Sequence, residues 1–157
     1  MSKKNYQANA KSWGEKSARA FLSNQPISRK YATEMANFIK GKRLAWAVDF
    51  LEQVKAGERH LPLRQYNKKV AHRVGDAIWG VKSGRFPKNT AEGFIKLLNL
   101  VKANADFKGL DSDRLQIVHA FVSQGISRGR LQAKGQIGGK VRYAKSCHVE
   151  VVVTEAA

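Results

Sequence analysis

Leu115-Gln116-Ile117-Val118-His119-Ala120-Phe121-Val122 and His148-Val149-Glu150-Val151-Val152-Val153-Thr154-Glu155 are two β-rich runs in the last third of a 157-residue chain. Val149, Val151 and Val153 share one face of the second run, as a half-buried strand requires. Between the runs lie the 24 residues 123–146, whereas β-hairpin loops take about 2–5. This segment holds Arg128, Arg130, Lys134, Lys140, Arg142 and Lys145, glycines at 125, 129, 135, 138 and 139, and neither Asp nor Glu. Such a composition cannot bury enough apolar surface to fold by itself. Its glycines permit close backbone approach and its cations seek phosphate. The expectation is a long hairpin arm, residues 123–146, on a rigid base and ordered by an anionic partner; the bland alternative is a solvated flexible loop.

The whole chain has the same bias. Lys and Arg number 29 against 12 Asp and Glu, a formal net charge of +17. That surplus repels itself until counter-charge arrives, so a polyanion is the expected partner. Nucleic acid leads, and an anionic membrane is second, because no stretch approaches the ~18 consecutive apolar residues of a spanning helix. Lys3 and Lys4 are followed by Asn5, Gln7 and Asn9, which argues against a secretory signal and for the cytosol. Cys147 is the only cysteine, consistent with a reducing compartment, and reads as a small buried apolar residue. With 43% hydrophobic residues, one domain spanning 1–157 is the default.

Residues 1–17 are polar and read as an arm without order of its own. A short strand is expected at 18–22, before Pro26. Ser28 is placed as N-cap of a helix to Lys40, with Tyr31, Ala32, Met35, Ala36 and Ile39 on one face and Gly41 as the stop. A second helix buries Leu44, Ala47, Val48, Leu51 and Val54 and ends at Gly57. Residues 58–88 show no sustained period and read as a basic connection rather than a core element. Asn89 with Glu92 forms a capping-box start for a third helix, in which Phe94, Ile95, Leu98, Val101 and Ala105 lead to Gly109. The fold class is therefore α/β (α+β): three helices on a small, mostly antiparallel three-stranded sheet with a long hairpin arm.

Candidate chemistry is sparse. Gly135-Gln136-Ile137-Gly138-Gly139-Lys140 fails as a phosphate loop at Lys134 and Val141, and Gly135-x-x-Gly138 joins strands where an RNA-clamping KH loop joins helices. Cys147 and His148 are adjacent on a strand, point to opposite faces and cannot join His119 around one ion. His60 and His72 suit packing or phosphate contact. Glu34, Asp49, Glu52 and Glu92 sit within helices and Asp111 and Asp113 within a turn, with no visible convergence for acid-base work. No enzyme, metal or cofactor is expected. Trp13, Trp46, Tyr66, Trp79, Phe86 and Tyr143 interleave with cations, as base stacking requires; Trp46 suits helix-face packing, Tyr66 and Trp79 suit RNA.

Leu61-Pro62-Leu63-Arg64-Gln65-Tyr66-Asn67-Lys68-Lys69-Val70-Ala71-His72-Arg73 resembles a signature of the universal large-subunit ribosomal protein twenty-two family, counted as seventeen in eukaryotes. Residues 28–41, Gly84-Arg85-Phe86-Pro87-Lys88, Ala103-Asn104-Ala105 with Lys108-Gly109-Leu110-Asp111, and His148-Val149-Glu150 resemble further family segments in order, so the likeness spans roughly residues 18–155. Trp79-Gly80-Val81-Lys82-Ser83-Gly84-Arg85-Phe86-Pro87 is more similar to the archaeal and eukaryotic form than to the bacterial one. The resemblance implies a body near the polypeptide exit and a hairpin tip, Gln132-Ala133-Lys134-Gly135-Gln136-Ile137-Gly138, lining the nascent-chain tunnel. It implies assembly and shaping of ribosomal RNA without catalysis, in cytoplasmic ribosomes.

The expected ribosomal RNA contacts are Arg64, Tyr66, Asn67, Lys68, Lys69, His72, Arg73, Arg85 and Lys88 in the basic connection, and Arg128, Arg130, Lys134, Lys140, Arg142 and Lys145 in the arm. The expected partners are large-subunit ribosomal RNA, neighbouring large-subunit proteins and the nascent polypeptide, with no membrane and no homo-oligomer. Relatives commonly carry Arg-Ala-x-Gly-Arg near the tip, where this chain has Gln132-Ala133-Lys134-Gly135-Gln136 or, with a two-residue shift, Lys134-Gly135-Gln136-Ile137-Gly138, so that both motif arginines are replaced. Two other classes share the charge: a free-standing nucleic-acid binder or RNA chaperone, which a salt wash would strip from large subunits, and an RNA-processing enzyme, whose turnover a single carboxylate substitution would abolish.

Overall fold

The computed structural model describes residues 6, 7, 14, 16–136 and 138–156. In chain order the elements are β1 (Ser17–Gln25), α1 (Arg29–Ile39), α2 (Leu44–Ala56), β2 (Leu61–Pro62), β3 (Gly84–Arg85), α3 (Lys88–Phe107), β4 (Leu115–Leu131) and β5 (Val141–Glu155), with a 3-10 turn at Ser112–Arg114. The expected α+β class is the observed one. β5 lies between β1 and β4 and is antiparallel to both.

Strand alternation sends Cys147, Val149, Val151 and Val153 of β5 to the helix side, where they meet Ala18 and Ala20 of β1 and Ile117 and Ala120 of β4. α3 crosses β1, α1 crosses β4, and α2 packs on α3. Met35, Ile39, Phe50, Leu51, Phe94, Leu97 and Leu98 fill the space between the layers with almost no exposure. The start of β4 is not left as a bare edge: Ile117 N donates to Lys42 O at 2.9 Å and Gly41 N donates to Ile117 O at 2.7 Å.

Several local expectations are corrected. Ser28 is the N-cap of α1 by position, but its side chain makes no capping bond. In α2 the buried stripe takes in Phe50, while Val48 is only half-buried. α3 starts two residues early at Lys88 with Pro87 as its N-cap, so no Asn89–Glu92 capping box forms. Ala91 N already donates to Pro87 O at 3.0 Å, which closes the first turn ahead of Asn89. Glu92 instead pairs with Lys96 at 2.9 Å. Gly57 ends α2 as expected, in the left-handed conformation at φ 94°.

Both sides of β5 are covered near its middle, which one-faced alternation did not foresee. On the side away from the helices Glu150 and Val152 are each 2% exposed. His119 Nε2 lies 2.9 Å from Glu150 Oε1, and Gln7 N donates to both Glu150 oxygens at 3.0 and 3.1 Å. Tyr6 meets Phe21 edge-on, with Arg19 over its ring. Of the polar segment 1–17, then, Tyr6 and Gln7 dock on the sheet and Ser17 opens β1; positions 1–5, 8–13 and 15 lie outside the described residues. Cys147 is fully buried as expected, its Sγ 3.7 Å from Ile27 O, and burial pushes its thiol up to about 11.

Candidate nucleic-acid interface

The basic connection between α2 and α3 is a folded clamp whose roots are core, which corrects the reading of 58–88 as mere linkage. Leu61 and Leu63 are fully buried. Leu61 pairs with Arg85 and Pro62 with Gly84, Leu63 N donates to Ser83 O at 3.0 Å, and Ser83 Oγ donates back to Leu63 O at 3.2 Å. Gly84 is required by close approach: a Cβ there would drive into the His60 ring and stand 2.8 Å from Leu61 O. Burial, then Arg73 and Arg59, hold the His60 imidazole below its ordinary pKa, so it stays neutral at pH 7.

A buried acid organises the clamp's signature loop. Glu34 of α1, 1% exposed, accepts hydrogen bonds from Gln65 N and Tyr66 N, both at 2.7 Å. Arg64, Asn67, Lys68 and Lys69 are thereby presented outward, and all four are exposed. Arg73 spends its Nε on Gly84 O at 2.9 Å and lies over the Phe86 ring, while Arg64 lies 4.5 Å over Trp79. Trp79 sits at φ 55° beside Gly80 at φ 74° in a two-residue turn closed by Ile78 and Val81, and its ring packs 5.5 Å from Phe38. Trp46 stacks on Phe50 at 5.5 Å, as helix-face packing requires.

The arm is a continuation of β4 and β5. Rungs run on from Ser127↔Lys145 through Arg128↔Ala144, Gly129↔Tyr143 and Arg130↔Arg142 to Leu131↔Val141. Strand pairing therefore supplies the order that composition alone did not, and only 132–140 form the loop. There Gly139 N donates to Gln132 O and Gly138 N to Gly135 O, both at 2.8 Å, with Gly135 and Gly139 at positive φ. Ile137 lies outside the described residues; Gln132, Ala133, Lys134, Gln136 and Lys140 surround these turns.

A bulge on β4 sorts the arm's cations. Gly125 and Ile126 together face Ser146, and Asn24 at φ 48° holds the kink: its Oδ1 accepts from Ile126 N at 3.1 Å and from Ser146 Oγ at 3.3 Å. The extra residue shifts β4 parity, so Ser127, Gly129 and Leu131 share the helix side with Tyr143 and Lys145. Arg128, Arg130 and Arg142 are left together on the opposite face. Among the described residues none of the expected cations, in clamp or arm, is paired with a carboxylate.

Clamp and arm are joined at the start of α1, where the sequence reading missed Arg29 and Lys30. Pro26, Ile27, Ser28, Arg29, Lys30, Gln124, Tyr143, Lys145 and Ser146 line a cleft of about 470 Å³ at the arm's base. A second, of about 320 Å³, shares Ser28 and Lys30 and runs past Tyr31 to Tyr66, Lys68 and Arg85; a third continues from Ser28 and Tyr31 to Lys88. The signal was present: Arg29 and Lys30 occupy the first turn of α1, which contains no acid, and cations there oppose the helix dipole unless an anion arrives.

The acids do not converge. Glu34 holds the loop, Asp49 accepts from Gln53 at 2.9 Å, Glu92 pairs with Lys96, and Asp111 caps Asp113 N at 3.1 Å. Among the described residues no group of His, Cys, Asp and Glu is placed to hold a metal ion, and no helix is long and apolar enough to cross a membrane.

The fold is that of a mixed α+β body with a cationic clamp on a small two-stranded sheet and a cationic hairpin continuing the three-stranded sheet. Residues 20–154 match the family described as ribosomal protein L22p/L17e, and the chain belongs to that family of structural, non-enzymatic ribosomal proteins. It is similar to large ribosomal subunit protein uL22 of Ignicoccus hospitalis, at 40% identity over 90% of this chain and 89% of the relative. It is similar also to the proteins of the same name from Methanocaldococcus jannaschii, 38% identical over 90% and 89%, and Hyperthermus butylicus, 39% identical over 90% and 91%. The form is archaeal-type.

Proposed function

We propose that this chain is a structural constituent of the large ribosomal subunit that binds its ribosomal RNA through clamp and arm together, supports assembly, and lines the nascent-chain tunnel with residues 132–138. The observation that carries the reading is the arm: Arg128, Arg130 and Arg142 are gathered on one face of a hairpin with no acid anywhere in 123–146. Unpaired arginines in a row suit a phosphate backbone. Neighbouring large-subunit proteins and the nascent polypeptide are the further partners, and the ribosome in the cytoplasm is the place of action.

The test replaces Arg128, Arg130, Lys134, Lys140, Arg142 and Lys145 with Ser. The body should melt as the parent does, because none of these side chains enters the core, while the slope of log affinity for large-subunit RNA against log salt flattens by several units, at ~0.7–0.9 per lost phosphate contact. Large subunits should lack the variant or assemble late. An unchanged slope with normal incorporation would refute the arm's role.

A further inference from the structure

Resting on that reading, we infer that the cleft at the base of the arm is a seat for one unpaired RNA nucleotide, its base stacked on Tyr143 and its phosphate held by Arg29 and Lys145. Tyr143 is the only aromatic residue in 123–146, and it is 63% exposed. It lies across Gly129 of the facing strand: a Cβ on Gly129 would stand 3.5 Å from Tyr143 Cε1 and 3.8 Å from Cδ1. The glycine gives one side of the ring something to rest on. The rest of the ring borders the cleft, whose other lining includes Arg29, Lys30, Lys145 and Ser146.

The chemistry is that of a single nucleotide. About 470 Å³ lies within the roughly 300–1,000 Å³ of sites that enclose a small ligand. Every ionisable side chain on its lining except the tyrosine is cationic, so the occupant carries negative charge. Arg29 is steered to the site by its hydrogen bond to Gln124 Oε1 at 3.0 Å, which uses one terminal nitrogen and leaves the rest of the guanidinium for a phosphate. An exposed aromatic plane beside clustered cations is how unpaired bases are held, whereas a duplex keeps its base faces stacked inside and has no face to offer the ring.

The experiment uses the full chain with two probes, a five-nucleotide oligouridine and a blunt RNA duplex, compared for the parent, Tyr143→Phe, Tyr143→Leu and Arg29→Ser. Leucine still covers Gly129 but has no π face. We expect the parent and Tyr143→Phe to bind oligouridine alike, Tyr143→Leu to bind it about tenfold more weakly with duplex binding unchanged, and Arg29→Ser to lose about one phosphate contact in its salt slope. Irradiation should crosslink uridine to Tyr143. Equal affinity of Tyr143→Leu and parent for oligouridine, or equal losses on both probes, would overturn the nucleotide seat. The sixfold serine variant reads the wider proposal separately: loss there with an unaffected Tyr143→Leu rejects the seat alone.

Discussion

Glu34 of α1 and Tyr66 of the clamp are joined by a 2.7 Å hydrogen bond from the Tyr66 backbone N–H to the Glu34 carboxylate, which takes a second from Gln65 at the same distance. An acid 1% exposed in a strongly basic protein is thus a hook for the loop that presents the family signature. Glu34→Ala leaves two N–H groups without their acceptor and should cost about 2–3 kcal/mol, given about 1.5–3 for hydrogen bonds to charged groups. Glu34→Gln keeps an acceptor and should cost less than half as much. Urea unfolding with amide exchange at Gln65 and Tyr66 checks both; an alanine variant as stable and as protected as the parent would remove the hook.

Cys147 carries a pH dependence. Its thiol is raised from 9.0 to about 11 by burial, so the unfolded chain gives up this proton at lower pH than the folded one. Below pH 9 both states keep the proton and nothing is lost; between pH 9 and 11 the unfolded state alone ionises, and stability falls as pH rises. Cys147→Ala should remove that part of the alkaline loss, read as the difference between the two proteins' melting curves from pH 8 to 11. At pH 8 a thiol reagent should label the folded protein far more slowly than the urea-unfolded one. Prompt labelling of the folded protein would contradict its burial.

Much of this was legible from the sequence where the governing contacts are local. β-branched runs marked β4 and β5, and three- and four-residue spacing marked α1, α2 and α3. The clamp was not, because Leu61 and Leu63 are two apolar residues in a polar stretch and their partners, Arg85 and Ser83, lie about twenty positions on. Nothing near Glu34 in the chain reveals that a loop thirty residues away will bury it. The arm's cations could be counted, but their faces depend on the bulge at Gly125 and Ile126, and Arg29 and Lys30 were absorbed into a helix pattern whose first turn they do not suit.

The arm's ladder changes what amide exchange should show. A free two-stranded ribbon is marginally stable, and here it grows from a buried three-stranded sheet. Protection should fall along the arm rather than be absent throughout: strong at Val149 and Val151, intermediate from Ser127 to Leu131 and Val141 to Lys145, and lost across 132–140. Hydrogen exchange of the free protein at neutral pH checks the gradient. Uniformly fast exchange from 124 to 146 would mean that the ladder forms only when RNA holds it.

The bulge gives the sharpest test of how the arm is aimed. A Cβ on Gly125 would stand 2.6 Å from Ser146 Oγ and 2.8 Å from Asn24 Oδ1, the group that holds the kink. Gly125→Ala should therefore cost about 1–3 kcal/mol as an overpacked site. If the strand escapes by losing the bulge, its register slips by one and every side chain beyond changes face. Arg128 would then face Tyr143 in place of Ala144, bringing guanidinium groups to the helix side and breaking up the arginine face. Deleting Ile126 removes the extra residue instead. It gives up one hydrogen bond to Asn24 but leaves Gly125 opposite Ser146 and keeps Arg128↔Ala144, so arm binding to RNA should survive. Cross-strand nuclear Overhauser contacts of Arg128 distinguish the two registers, and salt-dependent RNA binding reads the consequence. A Gly125→Ala protein with parental stability, parental contacts and parental salt slope would show that the kink at Asn24 does not set the faces of the arm.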